Sequence, residues 1–577
     1  MIVFRRSMRF RIIFGMAQAK SKKVKVISLG GLNEIGKNCN VIEYQDDLII
    51  VDCGLGFPDE EMLGVDVVIP DFTYLMENIE KVKALFVTHG HEDHIGGIPY
   101  LLQQINVPIY ATAFTIGIIK NKLKEFAEVI QYDPVFHVVK DGDVITEGAF
   151  SVEFIHVNHS IADSCALAIN TPAGVFIHSG DFKIDSTPLV GEMTNLTRFG
   201  ELGRAGVKLL MCESTNIERP GFTPSETTVS RSLERLFDQY RHNRIIIATF
   251  SSNTSRVQQI INMSRLQKRK VAFSGRSMKN VVEAAIELGY LDIPSNQIVD
   301  IEEVESLPPD QVTIISTGSQ GEPMSALYKM AFGLHTSVSL KSSDVVIISA
   351  SAIPGNEKLI GNIENKLITQ NVTIVTDSTE SIHVSGHACQ GEIMMLHALC
   401  KPQYVMPVHG ETRHLYKHKE IAESMGTKPA NVFVMENGDV LEIDNKSAKV
   451  NGAVQAGAKM VDGAIGDVRN IVLQDRRRLA QDGLLVVAVS IDLQFSELIA
   501  GPEVITRGFI YEKDSAKLID DLKNVAHNVI TDELYRRTHD YAAIRQRVRD
   551  ELQRYVYART KGRPMILTLI VDVNGRR

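Results

Sequence analysis

Residues 86–97, FVTHGHEDHIGG, place His89, His91, Glu92, Asp93 and His94 within six positions, directly after an apolar run. On an extended segment His89 and His91 point the same way, because side chains alternate. Asp93 and His94 lie just beyond, where the chain can turn. Neutral imidazoles and carboxylates are good ligands for zinc and similar divalent ions. Two groups face one direction and two another, so the stretch can serve two ions. A lone histidine is usually a core or surface residue. Four donors as HxHxDH after an apolar strand instead point to metal.

Further donors stand where other apolar runs end: His159 in VNHSIADS, Asp181 in HSGDFK and His409 in MPVHGE. Asp181 suits a bridging role, since its two oxygens can reach two ions. Asp52 in IIVDCG is placed to orient a ligand or an attacking water. Singly, each of these also reads as an ordinary structural residue. His137, His156, His178, His242, His335, His397, His414 and His418 read as structural or surface.

These residues need strands to end on. VKVISLG, CNVIEY, DLIIVDCG, KALFVTH, SVEFIHV, SCALAIN, GVFIHSGD and VKLLMCEST are β-rich runs between polar or glycine turns. From about residue 218 the pattern changes. SETTVSRSLERLFDQY and MKNVVEAAIELG have helical spacing, and RIIIATF, KVAFSG, VTIISTG, DVVIISAS and VTIVTDS are apolar strands among them. Such alternation predicts a parallel sheet covered on both faces. The β-rich style returns at QYVMPVHGE and DVLEID. AVQAGAKMVDGAIGD is Gly/Ala-rich and reads as a linker. The tail holds strands LLVVAVSID, VITRGFIY and PMILTLIVDV, with helices over SAKLIDDLKNVAHNVI and YAAIRQRVRDELQRYVYART.

With 577 residues the chain exceeds one core. The expected division is a basic arm over 1–21 without fixed structure, a first domain over 22–217 and 376–450, an inserted domain over 218–375, a linker over 451–468 and a C-terminal α/β domain over 469–577. Met16 is a second plausible start. Six scattered cysteines, none in a CxxC pair, argue against a disulfide framework and fit a reducing cytoplasm. No run approaches the ~20 apolar residues of a membrane span. Net charge is −8, but residues 1–25 carry eight Lys/Arg and no acid, and 470–577 carry 18 basic against 15 acidic residues. The remaining body is strongly acidic, so an anionic substrate would need bound cations and a local groove rather than a diffuse positive field. The last helix has a basic face, which suits an RNA patch, a dimer contact or solvent.

HxHxDH with the later His and Asp in this order resembles the metallo-β-lactamase fold, an αββα sandwich with metals at strand ends. CEST with Glu213, SIHVSGHA with His383 and His387, and PVHGE with His409 resemble the three motifs of its β-CASP nucleic-acid branch. Over nearly the whole chain, including GGLNEIGKN, LGFPDEEMLGVD and STGSQGEPMSAL, the resemblance is to the bacterial ribonuclease J family; the N-terminal arm lies outside it. It implies two Zn²⁺ per subunit, with Mn²⁺ or Mg²⁺ as alternatives. One would sit on His89, His91, His159 and Asp181, the other on Asp93, His94, Asp181 and His409. His387 would protonate the leaving oxygen, assisted by Glu213, while His383, Ser385 and Gly386 would hold phosphate.

The implied substrate is single-stranded RNA, cut internally and trimmed 5′-to-3′ from a monophosphate end. Two cations would activate water and clamp the phosphoryl oxygens. Phe57, Arg276, Ser277 and 351–357 are candidate linings of a slot between sandwich and insert. The resemblance also implies homodimers or homotetramers, other RNA-decay proteins as partners, and no membrane. The rival readings are a thioesterase or lactamase, a flavodiiron-like oxidoreductase and a non-catalytic RNA-binding scaffold. The first needs no inserted domain, the second needs a carboxylate in place of His91, and the third needs no complete ligand set.

Overall fold

The computed structural model describes residues 23–573 apart from 60, 131, 354, 464–465, 511–514 and 539. The arm expected over 1–21 lies outside them. The chain divides into two compact units, one up to Gly56 and again over Ile69–Ala458, the other comprising Phe57–Val68 and the chain from Lys459 on.

In the larger unit, two mixed sheets face each other. The first has eight strands, with Val24–Gly30, Cys39–Tyr44, Asp47–Val51 and Val82–Phe86 at its centre. The second runs Tyr404–Val408, Val207–Glu213, Gly174–His178, Cys165–Thr171, Phe150–His156, Val144–Glu147. Strand alternation decides which side chains fill the gap. Ile42, Ile49, Val51 and Phe86 from one sheet meet Phe154, Leu167, Phe176, Leu209 and Met211 from the other in one buried cluster. The opposite face of the second sheet packs Leu210 and Cys212 against Phe199, Ile393, Leu396 and Ile421, which come from helices. The result is the αββα layering expected from the sequence.

The inserted segment forms a five-stranded, all-parallel sheet in the order Lys270–Ser274, Val312–Ser316, Ile245–Ala248, Val345–Ile348, Thr373–Thr376. Its central strands are almost wholly buried and mostly apolar because both faces are covered. Helices Glu226–Gln239, Thr254–Leu266 and Arg276–Glu287 supply the core on one side, and Ala326–Ala331 and Glu357–Thr369 the core on the other. Phe114 and Ile161 of the sandwich join the first of these cores, and Tyr290 donates a hydrogen bond to Asp163. The insert is therefore packed onto the sandwich rather than tethered to it.

The smaller unit is a three-stranded sheet, Glu497–Arg507, Leu484–Asp492 and Met565–Asp572, under helices Ala516–Tyr535 and Tyr541–Thr560. Every fourth position of the last helix, Ile544, Val548, Leu552 and Val556, is buried, which leaves its arginines on the other side. Two expectations change here. The stretch read as a linker contains strands Ala458–Asp462 and Gly466–Asp467. Small residues carry little strand propensity of their own, so this pairing comes from neighbours. Phe57–Val68, assigned by order to the first domain, clusters with the tail: Val65 and Val68 pack on Val468 and Leu473, and Arg476 donates to the carbonyls of Leu63 and Gly64 at 2.9 Å.

Among the described residues, no helix is long and apolar enough to cross a membrane, and the six cysteines are buried and unpaired.

Candidate metal centre

Four of the expected ligands sit just past the carboxyl end of a strand. His89 follows Val82–Phe86, His159 follows Phe150–His156, Asp181 follows Gly174–His178 and His409 follows Tyr404–Val408. His94 lies in the short helix Glu92–Ile95, which turns it back toward His89; the two rings are 4.0 Å apart between centroids. Backbone fit is tight here. A Cβ on Gly54 would overlap the Asp93 carbonyl, 1.6 Å away. Asp52 and His409 both adopt left-handed backbone, with φ of 61° and 50°, a conformation that non-glycine residues hold only under constraint.

The donor atoms of His89, His91 and His159 lie within 4.8 Å of one another, and so do those of Asp93, His94, Asp181 and His409. Asp181 joins the two groups. Its Oδ2 is 3.2 Å from His94 Nε2, 3.7 Å from His89 Nε2 and 3.8 Å from His159 Nε2, while Oδ1 is 3.5 Å from His409 Nδ1. Asp93 Oδ2 is 3.0 Å from His409 Nε2. An overlapping group of Asp181, Glu213, His387 and His409 meets the same distance limit.

The far nitrogen of most of these rings already has a partner. His89 Nδ1 meets Thr88 Oγ1 at 3.0 Å, His94 Nδ1 meets Asp52 Oδ2 at 2.8 Å, His159 Nδ1 meets the Gly386 carbonyl at 2.7 Å and His409 Nδ1 meets Thr215 Oγ1 at 2.8 Å. A proton held on Nδ1 leaves Nε2 as a lone pair facing the cluster, which is the arrangement metal ligands need. Burial pushes the pKa of His89 and His159 well below the usual imidazole value and that of His91 down to about 4. Burial also opposes charge on His94, but Asp181, Asp93 and Asp52 outweigh it and raise its pKa. Asp93 and Asp181 are held low despite burial, chiefly by His94 and His409. Buried neutral imidazoles and ionised carboxylates in one pocket form a donor set that fits divalent cations.

The residues expected around phosphate come together beside this cluster. His387 Nδ1 is 2.8 Å from Glu213 Oε2. Burial disfavours the charged ring, yet the Glu213 carboxylate lifts its pKa to about 9. Glu213 is itself buried and accepts from the Phe182 N–H at 2.8 Å. Ser385 Oγ takes the Asn216 side-chain amide at 2.8 Å. Gly386 has a role that sequence reasoning missed: its carbonyl fixes His159, and a Cβ there would lie 2.8 Å from the His159 ring. Thr88, Thr215 and Asn216 were also missed, because nothing local marks a threonine or asparagine as the partner of a distant histidine. His383 is brought to the same loop, with Nδ1 buried and without a hydrogen-bond partner; burial lowers its pKa to about 4.

Of the proposed slot linings, Arg276 and Ser277 border a cleft of about 860 Å³ that extends from Glu92, next to His91 and Asp93, to the strand ends of the inserted sheet. Lys122, Lys329 and His335 also line it. Phe57 is 72% exposed.

A sandwich with a His/Asp cluster at its strand ends and a parallel α/β insert over them defines a metal-dependent hydrolase of the metallo-β-lactamase class with a β-CASP domain. Comparisons with known families agree part by part. Residues 32–206 match the metallo-beta-lactamase superfamily, 242–367 the ribonuclease J beta-CASP domain, 372–435 a Zn-dependent metallo-hydrolase RNA specificity domain and 471–573 the ribonuclease J C-terminal domain. The chain is 38% identical to ribonuclease J2 of Bacillus subtilis, over 97% of its own length and 100% of that protein. It is 40% identical to ribonuclease J 1 of Streptococcus pyogenes, with 96% and 98% covered, and 40% identical to ribonuclease J of Synechocystis, with 96% and 87% covered. The chain belongs to the ribonuclease J family of metal-dependent RNA hydrolases. A crystal structure of a protein of unknown function from Enterococcus faecalis shares the fold at 18% identity, with a TM-score of 0.52 over 73% of this chain and all of that one.

Proposed function

We propose that this chain hydrolyses single-stranded RNA to 5′-phosphate products by internal cleavage and by 5′-to-3′ trimming that prefers a 5′-monophosphate. The observation that carries the reading is a pair of adjacent donor groups, His89/His91/His159 and Asp93/His94/Asp181/His409, with the Asp181 carboxylate within 3.8 Å of His89, His159, His94 and His409. His89, His91, His159 and Asp181 would hold one Zn²⁺, and Asp93, His94, Asp181 and His409 the other, with Mn²⁺ or Mg²⁺ as substitutes. When bound, such ions make water nucleophilic near neutral pH and neutralise phosphoryl charge.

The chain's own residues do the rest. Asp52 holds His94 in the tautomer that presents Nε2. His383, Ser385 and Gly386 form the loop against which a phosphate rests. His387, kept protonated by Glu213, gives its proton to the departing 3′ oxygen. The cleft beside Glu92 and Arg276 guides a single strand, whose splayed bases and backbone it can line with polar and cationic groups. The proposed setting is the cytoplasm, with a homodimer or homotetramer as the working form and other RNA-decay proteins as partners. Boundaries at 217/218, 375/376 and 450/451 are proposed for the sandwich and its insert.

End-labelled RNA carrying a 5′-monophosphate or a 5′-triphosphate tests this. Mononucleotides released from the monophosphate substrate, together with discrete internal fragments, are expected, and both should vanish with chelator and return with Zn²⁺ or Mn²⁺. Full cleavage by metal-stripped His91→Ala protein would refute the reading.

A further inference from the structure

On the face of the second sheet that packs against helices, three more metal-type donors meet. Cys212 lies on strand Val207–Glu213, where alternation sends Leu209 and Met211 toward the other sheet and Leu210 and Cys212 toward the helices. His397 comes from helix Gln390–Cys400 and His418 from helix Thr412–Ser424. All three are buried, and one donor atom from each lies within 4.8 Å of the others. None of them has a part in RNA hydrolysis as described above.

The rings are arranged for ligation. His397 Nε2 and His418 Nε2 face each other at 2.9 Å. His418 Nδ1 meets Ser214 Oγ at 2.9 Å, so a proton there frees Nε2, as at His89 and His409 in the catalytic cluster. The catalytic pair His89 Nε2 and His91 Nδ1 shows a similar approach, 3.1 Å. Two nitrogens on one tetrahedral zinc stand roughly 3.3 Å apart, given Zn–N bonds of about 2.0–2.1 Å. The rings need to part by only a few tenths of an ångström. A hydrogen bond between the two histidines accounts for their approach, and Cys212 also packs against the apolar side chains behind the sheet; one bound ion accounts for all three donors together.

We propose that Cys212, His397 and His418 bind one further Zn²⁺ per chain, in a structural site separate from the catalytic cluster. Two imidazoles and a thiolate suit a borderline-soft d¹⁰ ion, and three protein donors suffice if the ion keeps one water. The thiol proton passes to solvent on binding. Burial, and then the neighbouring Glu213 carboxylate, push the free Cys212 thiol up; that same carboxylate favours a cation at this spot. The ion would tie two helices to the strand one residue before Glu213 and so steady the acid that pairs with His387.

Full-length protein stripped of metal and reloaded with Co²⁺ gives the test. The catalytic donors are nitrogen and oxygen alone, so a near-ultraviolet thiolate-to-cobalt band can arise only from a cysteine site. The expected result is that band in the native protein, with its loss and one equivalent less metal in Cys212→Ser. Visible cobalt bands from the catalytic cluster should remain, and Cys400→Ser should leave all signals unchanged. A native spectrum without the sulfur band overturns the proposal before any variant is made. An unaltered band and metal content in folded Cys212→Ser overturns it as well. Neither result touches the RNA-cleavage reading, which the catalytic cobalt bands and cleavage assays report separately.

Discussion

Exchanging Asp52 for asparagine removes one charge and almost no volume, yet the geometry predicts a large loss. Asp52 is wholly buried. Its Oδ1 accepts the Thr88 N–H at 2.8 Å, and its Oδ2 accepts the Thr88 hydroxyl at 2.9 Å and meets His94 Nδ1 at 2.8 Å. An amide offers one oxygen and one NH₂. With the oxygen toward His94, the NH₂ opposes the Thr88 N–H, donor against donor. With the NH₂ toward His94, Nδ1 must accept, and the ring proton moves to Nε2, the nitrogen 3.2 Å from Asp181. One choice strands a buried donor; the other blocks a ligand. A stranded donor costs about 1–3 kcal/mol, which is roughly 5- to 150-fold in affinity. That range overlaps the ~10–100-fold usually lost with the partner of a ligating histidine. Zinc affinity measured by chelator competition should fall accordingly in Asp52→Asn, and Asp52→Ala, which introduces no opposing donor, should be no worse. If Asp52→Asn binds zinc within about threefold of the native protein, a difference of under ~1 kcal/mol, the tautomer argument is wrong.

Other outcomes follow from the same contacts. Arg256 is fully buried and donates to Glu226 Oε2 at 2.9 Å and to the Ile382 carbonyl beside His383 at 2.5 Å. Arg256→Met leaves the buried Glu226 carboxylate with only Gln259 at 3.1 Å and Lys183 at 3.7 Å and should destabilise the protein by about 3–5 kcal/mol; a denaturation midpoint equal to that of the native protein would sink the idea. Glu213→Gln should cut kcat by about 10²–10⁴-fold by depriving His387 of its counter-charge, with metal content by elemental analysis unchanged; lost metal would instead make Glu213 a ligand. His383 and His397, both lowered to about 4 by burial, stay neutral in the folded chain while the unfolded chain protonates them below about 6.5. Between those values the unfolded state binds more protons, so stability falls as pH drops. Melting of metal-stripped protein should therefore move down between about pH 6.5 and 5, and a flat profile there would contradict it.

HGHEDH, the later strand-end His and Asp, and the apolar strands of the insert were legible because ligand type, alternation and helical spacing are local properties. A residue's chemistry and its place at the end of a run are written within a few positions of it. Distant pairing is not. Asn216 reaches Ser385 across 169 positions and Arg256 reaches Ile382 across 126, and no periodicity encodes either contact; the Glu213–His387 pair was expected only through the family resemblance. The same reason hid the carbonyl role of Gly386, the strand pairing within 451–468 and the attachment of 57–68 to the tail. His397 and His418 read as ordinary structural histidines until folding set them beside Cys212. The amino-acid order thus determined which groups can ligate and which segments form strands and helices. Packing of the two sheets and their helices decided which groups meet, because burial against distant apolar surface, rather than neighbours in the chain, fixes where each strand end points.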